Sequence, residues 1–215
     1  MTRVGLYTEN FLFYHEAIKL LKSWSIPFSD VDPRNEILED IKVIISSDSD
    51  PRIWRFQFRG RDPLQALRKA IPSLLGKSCF SSLVVGIDPG PRPGIAVLAD
   101  QVLLEAFEIV EPKETGEFIQ RIIEDYCYRD IKIRLGNGDM PNRIIIEREL
   151  EREGIVSSIV DESNTSFPHR LHDNALSAAR IAMGKFHSAG KSDIRGIPRK
   201  QFMEVEFTTL RKILI

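Results

Sequence analysis

The order of extended and helical segments between residues 83 and 187 restricts the fold of this chain more than any other feature. Three extended segments follow one another through short turns, and two later ones are each entered from a segment with helical periodicity. The five extended segments read LVVGID, PGIAVLA, VLLEAFEIV, DIKIRLGNGD and IVSSIVDE. Strands joined by short turns pair antiparallel, whereas strands entered from a helix add in parallel through right-handed crossovers. The order predicts an α/β fold with a mixed five-stranded sheet and helices on both faces.

The first 75 residues predict a separate, smaller α/β domain. RVGLY (3–7) has the pattern of a strand, the following segment has apolar residues at helical spacing, and IKVIISSD (41–48) is a short β-branched run typical of a parallel strand. We therefore expect a small domain at 1–75, a larger one at 80–190, and a C-terminal tail, 191–215, that packs on the body.

Composition and cysteine usage indicate an ordinary soluble chain. It is 42% hydrophobic and 28% charged, with a net charge of −1. Cys79 and Cys127 are far apart and form no CxxC pair, so we expect neither a disulfide framework nor a cysteine zinc site, and a reducing cytoplasm fits. The N-terminus lacks a signal-peptide pattern and no apolar run reaches the roughly 18 residues of a membrane span. We expect a cytoplasmic protein without membrane association.

Acidic residues stand at the ends of three predicted strands and on the last predicted helix. Asp88 ends the first strand in a turn rich in Gly and Pro, Asp139 follows LGN, and Asp161 and Glu162 end IVDE, while Asp173 lies on the last helix. Sheets of this kind place their sites at the carboxyl ends of strands near a topological switch point. Carboxylates gathered there repel one another unless they surround a hard cation such as Mg²⁺. Asp161 is the alternative to Glu162, because adjacent strand residues point to opposite faces.

Turn and capping roles are the structural alternative for these acids. Asp139 precedes MPNR and is well placed to cap a helix there. For Asp88, the flanking Gly86, Gly90 and Gly94 favour a functional role, because they indicate a tight turn and close approach of the backbone.

Four segments in this region carry a family resemblance. VVGIDPGPRPGIAVL resembles the first hairpin of RNase H-like nucleases of the RuvC and YqgF group. IRLGNGD and IVDESNTS resemble the fourth and fifth strand segments of YqgF-like domains, and HDNALSAARIA is similar to the closing helix. The segments occur in the right order and cover about residues 83–187. The resemblance implies an RNase H-like fold and a nuclease that uses Mg²⁺ or Mn²⁺ to hydrolyse phosphodiester bonds in structured DNA or RNA.

The resemblance also implies roles for particular residues. Asp88 would be the central metal ligand, Glu162 the second acid and Asp173 the acid on the last helix. Asp139 would be a further catalytic acid, although many relatives carry a small polar residue in that segment. Relatives often place the last acid immediately before AL, and Asn174 occupies that position here.

Two other functions stay open. The shifted acid allows a nucleic-acid-binding protein with an RNase H-like fold and no catalytic activity. An actin-like or sugar-kinase-type ATPase also begins with an acid and glycines after its first strand, but it needs a second similar domain, and residues 1–75 contain no matching Asp-Gly hairpin. His172 is either a structural residue or a metal ligand and proton shuttle.

A basic, aromatic segment of the first domain is the best candidate for a nucleic-acid surface. Residues 52–77 carry seven Lys or Arg against a single acid, Asp62. The alternation in 51–63 predicts a strand with three aromatic residues on one face. The residues expected to contact phosphates are Arg52, Arg55, Arg59 and Arg61. The alternative is that the aromatic face is buried and the arginines face water. A homodimer also remains open.

Overall fold

The computed structural model describes residues 3–160 and 174–183, which form two compact units. Unit 1 contains residues 3–80 together with Glu124–Cys127. The chain thus leaves unit 1 after residue 80, contributes residues 81–123 to unit 2, and returns to unit 1 for these four residues. Unit 2 contains residues 81–123, 128–160 and 174–183 among those described. The predicted tail, 191–215, lies outside the described residues.

Unit 1 is a parallel four-stranded α/β structure. Its elements are β1 (Arg3–Leu6), α1 (Phe11–Ser23), β2 (Phe28–Asp30), β3 (Ile41–Ser47), β4 (Gln57–Gly60) and α2 (Pro63–Leu74). The sheet order is β2-β1-β3-β4, and every neighbouring pair is parallel. The central strand β3 is buried at all positions except Lys42, as expected for a parallel strand covered on both faces. This confirms the predicted α/β class for the N-terminal part of the chain.

Local sequence sets the start of both helices in unit 1. The Asn10 side chain accepts a hydrogen bond from the Phe13 amide at 3.1 Å, and Asp62 caps α2 by accepting from the Gln65 amide at 2.8 Å. Pro63 occupies the first turn of α2, where its missing N–H costs no helical hydrogen bond.

The predicted strand over 51–63 is shorter than the sequence indicated. Residues 51–56 lie outside any strand, with a turn at Arg55 and Phe56, and only Gln57–Gly60 pair with β3. The cause is the buried side chain of Gln57, which accepts from the Ile53 amide at 2.6 Å and donates to the Pro51 carbonyl at 2.9 Å and to Ser46 at 2.8 Å. These bonds fold the preceding residues around one amide, so the expected aromatic face of a continuous strand does not form.

Unit 2 is built on a mixed five-stranded sheet. Its elements are β5 (Phe80–Asp88), β6 (Gly94–Ala99), β7 (Val102–Glu108), α3 (Thr115–Asp125), β8 (Tyr128–Gly136), α4 (Met140–Arg152), β9 (Ser157–Val160) and α5 (Asn174–Met183). The strand order is β7-β6-β5-β8-β9. Strand β6 is antiparallel to both β5 and β7, and β8 is parallel to β9. The number of strands and their mixed directions confirm the five-stranded mixed sheet predicted from the alternation of segments.

Helix α5 packs directly against the backbone of the sheet. Its buried residues are three alanines, Leu176 and Ile181, and the alanines and Leu176 pack in one cluster with Ala96, Leu98 and Leu103. A Cβ atom at Gly86 would lie 2.6 Å from the Ala182 nitrogen, and one at Gly94 would overlap the Asn174 carbonyl group. The two glycines are therefore required by the close approach of this helix.

The turn between β6 and β7 holds two non-glycine residues in the left-handed region. Asp100 has φ +47° and Gln101 has φ +71°, as in a two-residue type I′ hairpin turn. The Asp100 carboxylate accepts hydrogen bonds from the amides of Ser81 and Ser82, both at 3.0 Å. The side chain of the first turn residue therefore also ties the start of β5 to this hairpin.

The two cysteines form a disulfide, contrary to the expectation from the sequence. Cys79 and Cys127 are 48 residues apart, and their Cα atoms are 4.9 Å apart. They meet because Glu124–Cys127 belongs to unit 1, where the Phe80 amide donates to the Cys127 carbonyl at 2.9 Å. Sequence spacing gave no sign of this return.

No helix among the described residues is long and apolar enough to cross a membrane.

Candidate functional sites at the carboxyl ends of the strands

Asp88 lies at the carboxyl end of the central strand of the five-stranded sheet. It is the last residue of β5 and is paired with Gly94, the first residue of β6. Strand β5 lies between β6 and β8, which are themselves interior to the sheet. Asp88 is partly buried and makes further interactions in the folded chain. A ligand bound here would contact the middle of the sheet edge.

The start of α5 lies at the same end of the sheet as Asp88. The Asn174 backbone packs against Gly94, and its side-chain amide donates to the Arg92 carbonyl at 2.8 Å. Arg92 is exposed in the Pro-rich turn that follows Asp88, and its guanidinium lies 3.5 Å from the Glu108 carboxylate. The site thus combines a carboxylate, a cation and a helix N-terminus within one small region.

Asp139 is engaged as the N-cap of α4. Its backbone is in the left-handed region, with φ +30°. One carboxylate oxygen accepts from the Asn142 amide at 3.3 Å, and the other accepts from the Asn142 side chain at 2.8 Å. This is the capping role that the sequence offered as an alternative. A catalytic role for Asp139 stays a prediction.

The other acids of the predicted cluster lie outside the described residues. These are Asp161, Glu162 and Asp173, together with His172. Within residues 3–160 and 174–183, no group of three or more His, Cys, Asp or Glu side chains is arranged to hold a metal ion. Among the predicted metal ligands, Asp88 is the one that the described structure contains.

Two of the four predicted phosphate-contacting arginines lie on an exposed aromatic turn of unit 1. Arg52 and Arg55 are exposed, and the Arg55 guanidinium lies 4.6 Å from the centre of the Phe56 ring. Phe56 is 39% exposed and makes an edge contact with Trp54 at a centroid distance of 5.5 Å. Trp54 also packs partly against the apolar cluster of unit 1. The turn therefore presents one anchored aromatic ring, one exposed ring and two cations.

The other two arginines make structural contacts. Arg59 donates from its guanidinium to the Asp50 carbonyl at 3.0 Å. Arg61 lies 3.5 Å from both the Asp62 and Asp125 carboxylates. Their charges are thus partly used within unit 1, so we expect Arg52 and Arg55 to contribute more to phosphate binding.

A polar cluster at the carboxyl edge of unit 1 was not predicted from the sequence. Asp50, only 2% exposed, accepts hydrogen bonds from the Glu9 amide at 2.9 Å and the Ser47 amide at 2.7 Å. This carboxylate connects the loop after β1 with the end of β3, and these two strands lie on either side of the switch in strand order. Desolvation, together with the charges of Glu9 and Asp50, raises the pKa of Tyr7. The run SSDSD after the apolar strand was the available signal.

The comparisons with known proteins concern unit 1. Residues 3–74 match a family model described as a response regulator receiver-like domain. No curated protein and no solved structure matches the chain. The match corrects the family prediction, because the family model found is receiver-like and is not an RNase H-like domain of the RuvC and YqgF group. About a third of the chain, from β1 to α2, is thus similar to a receiver-like domain.

Proposed function

We propose that this protein hydrolyses phosphodiester bonds in structured DNA or RNA, using Mg²⁺ or Mn²⁺ held at Asp88. The observation that carries the proposal is the position of Asp88 at the carboxyl end of the central strand, beside the start of α5. Sites in open α/β sheets form at such strand ends.

The donor chemistry at this edge suits a hard divalent cation. Mg²⁺ binds one or two carboxylates, completes its shell with water and substrate phosphates, and needs no cage of protein ligands. Asp88 would supply one carboxylate; the other two predicted ligands, Glu162 and Asp173, lie outside the described residues. When bound, such a cation activates water and stabilises the leaving oxygen of a phosphodiester.

The remaining groups at this edge would position the phosphate. Arg92 is exposed in the turn that follows Asp88, where its guanidinium lies 3.5 Å from Glu108, and it offers planar donors that suit a phosphate. Because α5 begins against Gly94, the positive end of its dipole lies at the same sheet end. These groups attract a polyanion and compensate the charge of the carboxylates.

The exposed turn of unit 1 would add a second contact to nucleic acid. Arg52 and Arg55 would neutralise phosphates, and the exposed face of Phe56 would stack on an unpaired base. Such contacts tolerate many sequences and favour single-stranded or distorted substrates.

The second candidate function is nucleic-acid binding without cleavage. Two observations favour it: Asp139 is engaged as a helix cap, and Asn174 rather than an acid begins α5. A single described carboxylate would then be insufficient for catalysis, while the basic turn would still bind.

The experiment that separates the two compares Asp88→Asn with the native chain. Melting curves with and without Mn²⁺ are recorded beside cleavage of a four-way junction, a flap and an RNA–DNA hybrid. The proposal expects a metal-dependent rise in Tm and cleavage in the native chain, both lost in Asp88→Asn. Asp130→Asn is the matched control, since Asp130 is exposed near the amino end of β8.

Each outcome favours one function. Binding to these substrates with no cleavage and no metal-dependent shift would support the non-catalytic candidate. Cleavage that persists in Asp88→Asn would contradict the assigned role of Asp88. If Asp88→Asn unfolds the chain while Asp130→Asn does not, Asp88 is a structural turn residue.

A further inference from the structure

The segment Glu124–Cys127 is attached to unit 1 by a covalent tie and by a separate set of noncovalent contacts. The covalent tie is the disulfide between Cys79 and Cys127. The noncovalent contacts involve the neighbouring Asp125 and Tyr126. Because the two kinds of contact are independent, loss of one leaves the other.

The noncovalent contacts are buried and well formed. The Asp125 carboxylate, 3% exposed as a residue, accepts from the Arg68 guanidinium at 3.1 Å and from the Gln65 side chain at 2.7 Å. Tyr126 packs on Phe80, with ring centroids 6.3 Å apart, and the Arg68 guanidinium lies 5.7 Å from the Tyr126 ring centre. A carboxylate paired and hydrogen-bonded in this way holds its segment in one position.

The disulfide itself is accessible. Cys127 is exposed and Cys79 is partly exposed, although the residues on either side, Tyr126 and Phe80, are buried. Thiol–disulfide exchange requires a thiolate to approach one sulfur in line, so exposure of one partner is sufficient. Two of the four residues of the segment, Asp125 and Tyr126, are therefore fixed by burial, while Cys127 lies at the surface.

We propose that Cys79 and Cys127 form a reversible dithiol–disulfide couple that opens and closes in the folded chain and sets how firmly Glu124–Cys127 is held to unit 1. The Asp125 network keeps the two reduced thiols close together, so the couple can re-form without a search by the unfolded chain. In the reduced state the segment depends on the noncovalent contacts alone.

The reaction balances with a dithiol as reductant. A thiolate of the dithiol attacks one cysteine sulfur, the Cys79–Cys127 bond breaks, and a mixed disulfide forms while the other cysteine leaves as a thiolate. The second thiol of the reductant then closes an intramolecular disulfide and releases the first cysteine. The protein gains two electrons and two protons, and the dithiol is oxidised by the same amount.

The test places the full chain under native conditions in mixtures of reduced and oxidised dithiothreitol. Free thiols are counted by alkylation and mass spectrometry, and amide hydrogen exchange is followed in peptides covering 124–127 and 41–47. We expect reduction and re-formation to be reversible, with a loss of protection in 124–127 on reduction and unchanged exchange in 41–47. The Cys79→Ser and Cys127→Ser double variant should match the reduced chain at every mixture.

Three outcomes would overturn the proposal. The first is a disulfide that is reduced only in denaturant. The second is a loss of protection from amide exchange in 41–47 along with 124–127, because the disulfide would then stabilise unit 1 as a whole. The third is unchanged exchange in 124–127 on reduction.

A further variant tests the role of the network. Asp125→Asn keeps both cysteines but weakens the contacts that hold the segment, so the reduced chain should re-form its disulfide more slowly than the native chain. Glu117→Gln changes an exposed acid about two helix turns before Glu124; it is the control and should leave the rate unchanged. An equal rate in Asp125→Asn and the native chain would show that the network does not bring the thiols together.

Discussion

Gly94 and Asn174 are in backbone contact, with no space for a side-chain carbon between them. A Cβ atom at Gly94 would overlap the Asn174 carbonyl group and would lie 2.9 Å from the Ala175 nitrogen. Because Gly94 is paired with Asp88, this contact fixes the start of α5 at the end of the sheet where the proposed site lies.

Gly94→Ala should therefore displace α5 and destabilise unit 2 by about 3 kcal/mol or more, because backbone atoms cannot move aside as a flexible side chain can. Denaturant unfolding measures the loss. Gly138→Ala is the control, since a Cβ atom there meets nothing within 4 Å. An equal effect of both changes would contradict the packing described.

The sheet of unit 2 was predictable because its information is local. Short apolar runs with polar turns between them indicate hairpins, and Asp100 and Gln101 close one of these with a two-residue turn. The position of Asp88 at the end of β5 follows from the same pattern. The cap at Asp139 was also readable, as an acid three residues before Asn142 at the start of a helix.

The features that the sequence did not reveal depend on contacts between distant segments. The Cys79–Cys127 bond forms because a segment returns to unit 1 after 48 residues. The late start of the predicted aromatic strand depends on Gln57, whose side chain binds Ser46 on β3. Residue spacing and hydrophobic periodicity report neither contact, so the disulfide and the Gln57 hydrogen bond could be identified only from the structure.

The second prediction concerns the ion pair between Asp125 and Arg68. Both residues are nearly inaccessible to solvent. Removing one partner of a buried ion pair leaves the other charge buried without a counter-charge, which typically lowers the free energy of unfolding by about 3–5 kcal/mol. Asp125→Ala should show a loss of that order in denaturant unfolding, and Asp125→Asn a smaller one. Glu117→Ala, which breaks the exposed pair with Arg121, should cost less than about 0.5 kcal/mol. Similar losses at both sites would count against the burial argument.

Gln101 offers a change that should stabilise the protein. Its φ of +71° is unfavourable for a residue with a Cβ atom and natural for glycine. Gln101→Gly should raise the free energy of unfolding by about 0.5–1 kcal/mol, because relief of strain exceeds the added freedom of the unfolded chain. Gln101→Ala keeps the Cβ atom and should bring no such gain. A loss of stability in Gln101→Gly would mean that the Gln101 side chain itself is needed.

Asp32 gives a prediction about pH. Hydrogen bonds from the Arg34 side chain and amide lower the pKa of Asp32 from 3.8 to about 2. A lowered folded pKa contributes stability that is present above pH 3.8 and is lost as the pH falls through about 2. A carboxyl NMR titration should show the low pKa, and Arg34→Gln should move it back toward 3.8. A titration of Asp32 near 3.8 in the native chain would exclude the Arg34 contact in solution.

The exposed turn of unit 1 gives the last prediction, which concerns nucleic-acid binding and not cleavage. If Arg52 and Arg55 contact phosphates, affinity for a flap or a single strand should fall steeply with salt, because each contact releases a condensed counterion. Arg52→Gln and Arg55→Gln together should reduce the slope of log K against log salt by about 1.4, since each single-strand contact contributes about 0.7. Lys42→Gln is the matched control, because Lys42 is an exposed cation of the same unit near the amino end of β3. Phe56→Leu should weaken binding by about 1–3 kcal/mol without changing the salt slope, because stacking carries no charge. A slope that stays the same in the double arginine variant would place the phosphate contacts elsewhere, and cleavage at Asp88 could then still be tested on its own terms.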